Sequence, residues 1–597
     1  MNSLLYLNKY LVRYKWRLIL GLVFISFNNI FNIFIPQVVR YTIDTVKESI
    51  GSYFLMHQEA FDSFSSDLAL TTGKLALFAG GTIIILAILK GIFLFLTRQT
   101  IIIVSRLIEY DLKNEIFDQY QVLSLAFYKR NKTGDLMNRI SEDVSKVRMY
   151  LGPAIMYSAN LTLLFILVIS TMLKVNTELT LYVLLPLPLL SFLIYYVSNI
   201  INKKSDKVQR QLSTLSSYSQ EAYSGIRVLK AYNRELTSLS SFQDECEEYK
   251  NLNLDLVKVN ALFHPIMLLL IGISTTLTIY IGGILAMQGK VTIGNIAEFV
   301  IYVNMLTWPI AAVGWVTSLV QRAAASQTRI NEFLQIEPEI SNLNASKSEI
   351  GGNIDFKNVT FEYPDSGIRA LNNVSFSVKK GQTLAILGKT GSGKSTIANL
   401  ISRLYDIKEG EILIDKIPLR NTNLNDLRSN IGYVPQEVFL FSETIEKNIS
   451  FGIKNREASL ESVKQAAKDA AIYSNIENFP EKFDTYVGER GITLSGGQKQ
   501  RISIARAIIR HPQILIFDDC LSAVDTETEE EILTNLKRIM SDKTSIIISH
   551  RISSIKHADH IIILEDGEII EEGNHTKLID QKGTYFDLFQ KQQMDIE

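Results

Sequence analysis

Six apolar runs, at roughly 16–36, 75–97, 153–173, 179–199, 262–287 and 292–320, fill the first part of the sequence, and beyond about residue 325 no run of that length recurs. A helix needs about 20 mostly apolar residues to cross the hydrocarbon layer of a bilayer. Every backbone polar group must be satisfied inside that layer, so six such runs predict a bundle of membrane-spanning helices. Averaged over 597 residues the excess is diluted to 47% hydrophobic residues and a mean hydropathy of +0.12. The chain is too long for one domain. Its net charge of −1 offers no basic surplus for nucleic acid, and its two cysteines, Cys246 and Cys520, allow no disulfide framework.

Basic residues set the expected orientation. Lys9, Arg13, Lys15 and Arg17 precede the first run. The connection of about 55 residues after the second run carries Arg106, Lys113, Lys129, Arg130, Lys132, Arg139, Lys146 and Arg148. The similar connection after the fourth carries Lys203, Lys204, Lys207, Arg210, Arg227, Lys230 and Arg234. The positive-inside rule places the N-terminus and both connections in the cytoplasm. The polar, mixed stretch Met1–Tyr14 reads as no cleavable signal. Both connections read as helical, and an out-and-back excursion of that length projects about 35–40 Å. Few ionisable groups fall within the runs. Lys90 is long enough to snorkel, and Glu298 falls near the outer interface, with a substrate role the less favoured reading. Asn28, Asn29 and Asn32 on the first run either line a polar cavity or hydrogen-bond between helices, and the second reading is favoured.

The polar stretch 336–353 reads as a linker. Past it, the short runs Ile354–Phe361, Leu371–Val378 and Thr383–Leu387 predict strands. The third strand feeds Gly388-Lys389-Thr390-Gly391-Ser392-Gly393-Lys394-Ser395-Thr396, and a helix is expected from Lys394. This is the context of a phosphate-binding loop, in which backbone amides and a helix N-terminus face phosphate oxygens. Lys394 is then expected at the β- and γ-phosphates of ATP and Ser395 at Mg²⁺. Leu494-Ser495-Gly496-Gly497-Gln498 follows about a hundred residues later, and then the apolar strand Ile514–Phe517 running into Asp518 and Asp519.

With these motifs in this order the sequence resembles the ATP-binding cassette (ABC) transporters, in particular half-size exporters with one membrane domain and one ATPase domain. The resemblance covers essentially the whole chain. It implies an α-helical six-span transmembrane domain at 1–335 joined by the linker to an α/β P-loop NTPase domain at 354–597. It implies that Tyr363 stacks on adenine, that Gln436 senses the γ-phosphate and helps hold Mg²⁺, and that Asp518 coordinates Mg²⁺. It also implies that His550 is the switch histidine and that Ser522–Asp525 crosses a dimer interface. Ser495, Gly496, Gly497 and Gln498 are implied to close over an ATP held on the glycine loop of a second ATPase domain. Phe127–Leu136 and Gly225–Ala231 resemble the first and second coupling segments, Thr485–Gly491 the exporter-specific segment that touches them, and Ala323–Ile330 the exit from the sixth span.

One position departs from the family, which usually has a glutamate after the Mg²⁺ aspartate to polarise the attacking water. Here it is Asp519, shorter by one bond of about 1.5 Å, and a misplacement of about 1 Å costs about a hundredfold in rate. Gln436, Asp519 and His550 are thus the expected catalytic residues, with hydrolysis at this chain's own site expected to be slow. The expected function is ATP-driven export of amphipathic or lipid-like small molecules across a bacterial inner membrane. A lipid flippase shares every motif, and a regulatory half with little turnover remains an alternative. A heterodimer with a competent half-transporter is favoured over a homodimer.

Overall fold

The computed structural model describes residues 2–56, 66–342, 347–453, 459–488, 491–520 and 526–594. The chain divides into two compact units. One comprises residues 1–119 and 134–336, the other 120–133 and 337–597.

The first unit is helical throughout. Five helices among the described residues are long and apolar enough to cross a membrane: Lys15–Ser52, Thr72–Val122, Thr133–Val175, Glu235–Met287 and Ile293–Leu334. The fourth apolar run, read as one span at 179–199, differs. It begins as a short helix, Thr177–Leu184, turns at Leu185 and resumes as Pro186–Ser224. Pro186 and Pro188 lack the N–H groups that would carry the ladder across this point, and proline is at ease in the first turn of the new helix. The two short outer breaks are tight turns, one with Asn176 capping the next helix through Leu179 N, the other with Gly289 at φ 72°. The long connections are helical, as expected: Thr72–Val122, Leu125–Arg130 and Thr133–Val175 make up the first, and Pro186–Ser224 and Glu235–Met287 run on far past their apolar stretches into the second. Three one-turn π-helical segments, Arg98–Ile102, Arg139–Asp143 and Tyr150–Ala154, interrupt otherwise α-helical stretches.

The polar residues of the membrane helices mostly find each other. Asn29 donates to Asn160 at 3.0 Å, and Lys90 donates to Asn32 at 2.9 Å, so at these two asparagines interhelical bonding holds. The Asn28 Oδ1 is buried with no hydrogen-bond partner among the described residues. Glu298 is fully buried, paired with Arg40 at 3.1 Å and accepting from the Tyr302 hydroxyl at 2.9 Å. One turn further along the first helix, Asp44 accepts from the Thr292 hydroxyl and the Gly294 amide. A Cβ at Gly294 would lie 2.5 Å from the Arg40 carbonyl oxygen, so only glycine allows this approach. Glu298 is thus a brace between the first and last spanning helices.

The second unit is α/β. Four antiparallel strands, β1 (Ile354–Glu362), β2 (Arg369–Val378), β4 (Glu409–Ile414) and β5 (Ile417–Pro418), form one sheet in the order β2-β1-β4-β5. A second sheet takes the order β10-β9-β3-β8-β7-β6, from β3 (Thr383–Gly388), β6 (Ile431–Val434), β7 (Ile514–Asp518), β8 (Thr544–Ile548), β9 (His560–Glu565) and β10 (Glu568–Gly573). Its inner strands are parallel and nearly continuously apolar, as strands covered on both faces must be. Loops at the carboxyl ends of such strands are where an open parallel sheet binds ligands. Just before β1, the amides of Gly351, Gly352 and Asn353 donate to the Asp415 carboxylate. These bonds hold its carboxyl below the ordinary aspartate range against the opposing effect of burial.

Candidate nucleotide-binding site

The glycine loop leaves the end of β3 and enters the helix Lys394–Ile401. Gly393 caps that helix at φ 99°, and a Cβ there would meet the Ala370 carbonyl oxygen at 2.2 Å. The loop wraps the Lys394 side chain, whose Nζ donates to the carbonyls of Gly388 (2.9 Å) and Lys389 (2.7 Å). Burial lowers its pKa, opposed by Asp519 and Asp518. The Ser392 hydroxyl, within the same loop, is buried with no hydrogen-bond partner among the described residues. A loop of amides at a helix N-terminus, a lysine curled inside it and an unsatisfied hydroxyl fit a polyphosphate. Lys389, by contrast, turns outward to Glu565.

The predicted Mg²⁺ residues Ser395 and Asp518 are brought together, with the Ser395 hydroxyl donating to Asp518 Oδ1 at 2.9 Å. The Tyr433 phenol approaches the other oxygen, Oδ2, at 3.4 Å. Burial raises the Asp518 pKa, while the hydrogen bonds from Ser395 and Tyr433 pull the other way. Next to it, Asp519 takes a left-handed backbone at φ 46°, which aspartate tolerates better than most residues, and accepts from Gln436 Nε2 at 3.3 Å. Ser395, Asp518 and Gln436 supply hard oxygen donors of the kind Mg²⁺ takes beside phosphate oxygens.

Tyr363 lies beside the loop, its hydroxyl 2.9 Å from that of Thr396. Its ring meets those of Phe361 and Tyr405 edge-on at 5.0 and 5.4 Å. Lys129 Nζ sits 4.8 Å from the Tyr363 ring centroid and 5.6 Å from that of Tyr405. Lys129, Tyr405 and Tyr433 are not among the site residues expected from the sequence. Lys129 lies inside the proposed coupling segment and Tyr433 three residues before Gln436, but nothing in a sequence says which ring a lysine will cover.

The signature occupies a different place. Ser495 caps the helix Gly496–Ile508 in a reciprocal capping box with Gln498. Ser495 and Gly496 are exposed, so a second helix N-terminus is presented outward, suited to an anion held by another surface. Among the described residues no hydrogen bond joins it to the glycine loop. His550 follows β8, and its main chain is held by Gln592. Ser522–Asp525 and the Glu489-Arg490 pair lie outside the described residues.

Comparison with known proteins agrees with this geometry. Residues 18–310 match the family model for the ABC transporter transmembrane region and residues 371–522 that for the ABC transporter ATPase. The chain is 34% identical to the Multidrug resistance-like ATP-binding protein MdlA of Escherichia coli (strain K12), over 88% of this chain and 89% of that one. It is 33% identical to an ATP-dependent lipid A-core flippase of Pseudomonas fluorescens, over 84% of this chain and 83% of the other. A bacterial Atm1-family ABC exporter solved with ATP bound superposes at a TM-score of 0.76 with 25% identity, covering 98% of both chains. Helical membrane unit, α/β ATPase unit and sequence relatives together place the chain in the ABC transporter family, as a half-size exporter that couples ATP hydrolysis to transport.

Proposed function

We propose that this chain exports amphipathic or lipid-like small molecules across a bacterial inner membrane by alternating access, as one half of a dimer. Its N-terminus, long connections and ATPase domain face the cytoplasm. The observation that carries the dimer is the second coupling segment. The helix Ile226–Ala231 has no buried residue, and around it Val228 is 61% exposed, Tyr232 75% and Leu236 82%. A polar-rimmed apolar tip of this kind fits a protein contact rather than water. The ATPase unit offers a matching surface in the exposed Phe439, Phe441 and Phe451. On this reading one half-transporter's tip seats on the other's aromatic patch, and each signature closes over the other's glycine loop.

Lys394 would hold the phosphates, Ser395 and Asp518 the Mg²⁺ ion that offsets phosphate charge, and Asp519 would orient the attacking water. The Asp519 carboxylate falls about 1.5 Å short of the reach of a glutamate and is engaged by Gln436. Hydrolysis on this chain's loop is therefore slow, and the intact signature serves the faster site of a different partner. The relatives' names, multidrug resistance-like and lipid A-core flippase, favour an amphipathic cargo without choosing between drug and lipid.

Proteoliposomes holding the chain and its partner should accumulate an amphipath, or flip a lipid, only with hydrolysable ATP. Asp519→Glu should raise turnover at this chain's site by about tenfold or more. Turnover of several per second by the chain alone, unchanged by Asp519→Glu, would remove the slow-site reading. Absence of any ATP-driven movement would remove the exporter reading.

A further inference from the structure

The loop that carries His550 is gripped from two sides by side chains far away in sequence. On one side Gln592, in the C-terminal helix Thr584–Met594, donates from Nε2 to the His550 carbonyl at 2.7 Å and accepts from the Ile552 amide through Oε1 at 2.8 Å. On the other side the buried Glu529 accepts from Arg551 Nη1 at 2.6 Å and from the Ser554 hydroxyl. The Ser549 hydroxyl accepts from the Arg551 amide at 3.0 Å. Three hydrogen bonds from the Gln592 and Ser549 side chains thus fix the main chain at 550–552, and two more tie the Arg551 and Ser554 side chains to Glu529.

Gln592 is chemically selected for its part. The groups it meets are a carbonyl and an amide N–H two residues apart, and a primary amide offers a donor and an acceptor side by side in one rigid plane. A glutamate lacks the donor, a lysine lacks the acceptor and a methionine lacks both. The helix that delivers it is itself anchored at its start. Glu571 accepts from the Thr584 and Tyr585 amides, two of the donors a helix N-terminus leaves free. The buried Tyr585 hydroxyl bonds to His575 Nδ1 at 2.7 Å. A helix of 11 residues thus runs from a fixed cap to the switch loop.

We propose that Gln592 is a positioning residue for His550. It fixes the peptide units on either side of Arg551 and so sets the backbone from which the imidazole projects. The C-terminal helix then governs hydrolysis without touching nucleotide. This rests on reading His550 as the residue that responds to the γ-phosphate.

The test is steady-state ATPase kinetics of the full chain with its partner, in the natural sequence and in an Asp519→Glu background that lifts the signal. Gln592→Met keeps the side-chain volume and removes both bonds. It should lower kcat about tenfold with KM for ATP within twofold, because the glycine loop is untouched. In a His550→Ala background the same change should add less than twofold. Gln592→Glu keeps the acceptor for Ile552 but sets a carboxylate oxygen against the His550 carbonyl, so it should also lower kcat and serves if Gln592→Met folds poorly. A His550→Ala variant that loses turnover while both Gln592 variants keep theirs would overturn the proposal, and so would an equal loss from Gln592→Met with and without His550. If His550→Ala itself leaves turnover intact, the role given to His550 falls, and the role of Gln592 falls with it.

Discussion

Two short helices that overlap the proposed coupling segments, Leu125–Arg130 and Ile226–Ala231, have the same length and opposite surroundings. Leu125–Arg130 is seated in the ATPase unit of its own chain. Ala126 is fully buried in a core built from β1, β2 and the helix after the glycine loop, Lys129 covers the Tyr363 and Tyr405 rings, and Arg130 and Ser124 both reach Glu339. Ile226–Ala231 buries nothing. One segment has its socket within the chain, and the other carries an apolar surface left uncovered among the described residues. The pair teaches that two segments of like composition can differ in whether their own chain covers them, and on the proposed dimer the bare one is the contact a second half-transporter would supply.

A matched substitution separates the two. Ala126→Asp places a carboxylate in a fully apolar socket and should destabilise the ATPase unit by about 3 kcal/mol or more, read as a fall in its thermal midpoint. Val228→Asp makes the same chemical change on the bare tip. There the stability change should stay within about 0.5 kcal/mol, while ATP-driven transport falls about tenfold and dimer recovery drops. Equal stability losses from the two would erase the contrast.

Asp518 sharpens it from the nucleotide side. Its pKa is raised by burial, and a Mg²⁺ ion held there as proposed would have to displace its proton. Below that raised pKa the Mg²⁺ affinity of the ATP-loaded protein should fall about tenfold for each pH unit. The fall should begin above the ordinary aspartate value of about 3.9, and isothermal titration between pH 4.5 and about 7 reads it. For folding the sign is opposite, since the native state binds the proton more tightly, so this group favours the fold at low pH and loses that contribution as pH rises. A Tyr433→Phe variant, lacking a hydrogen bond that lowers the Asp518 pKa, should move the Mg²⁺ profile to higher pH. The smallest effect is expected at Lys129. A cation over a ring contributes about 0.5–2 kcal/mol, so Lys129→Gln should change the KM for ATP about threefold and leave the core of the unit intact.

Much of this was legible in the sequence because the signals are local. The glycine loop needs its spacing, and a strand and helix on either side of it. Both are continuous in the chain, and the structure places them at β3 and Lys394–Ile401. The spanning helices needed only run length and were found, except at Leu185, where two prolines outweighed an unbroken apolar composition. Less legible were contacts between distant positions. Tyr433 is 85 residues from Asp518, and Arg40 is 258 from Glu298. Such pairs depend on which strands become neighbours and how two helices are rotated, and neither property is written in a window of ten or twenty residues. Gln592 belongs with them, an ordinary glutamine near the end of a polar helix until the loop after β8 is folded against it.

The π-helical turns at Arg98–Ile102, Arg139–Asp143 and Tyr150–Ala154 change how this chain must be counted. Each absorbs about one extra residue, and an α-helix advances about 100° per residue. A helical wheel carried through one of them unbroken points every later side chain about a quarter-turn away from its true neighbour. Cysteine pairs meant to staple one helix to the next should therefore be numbered afresh on each side of these turns.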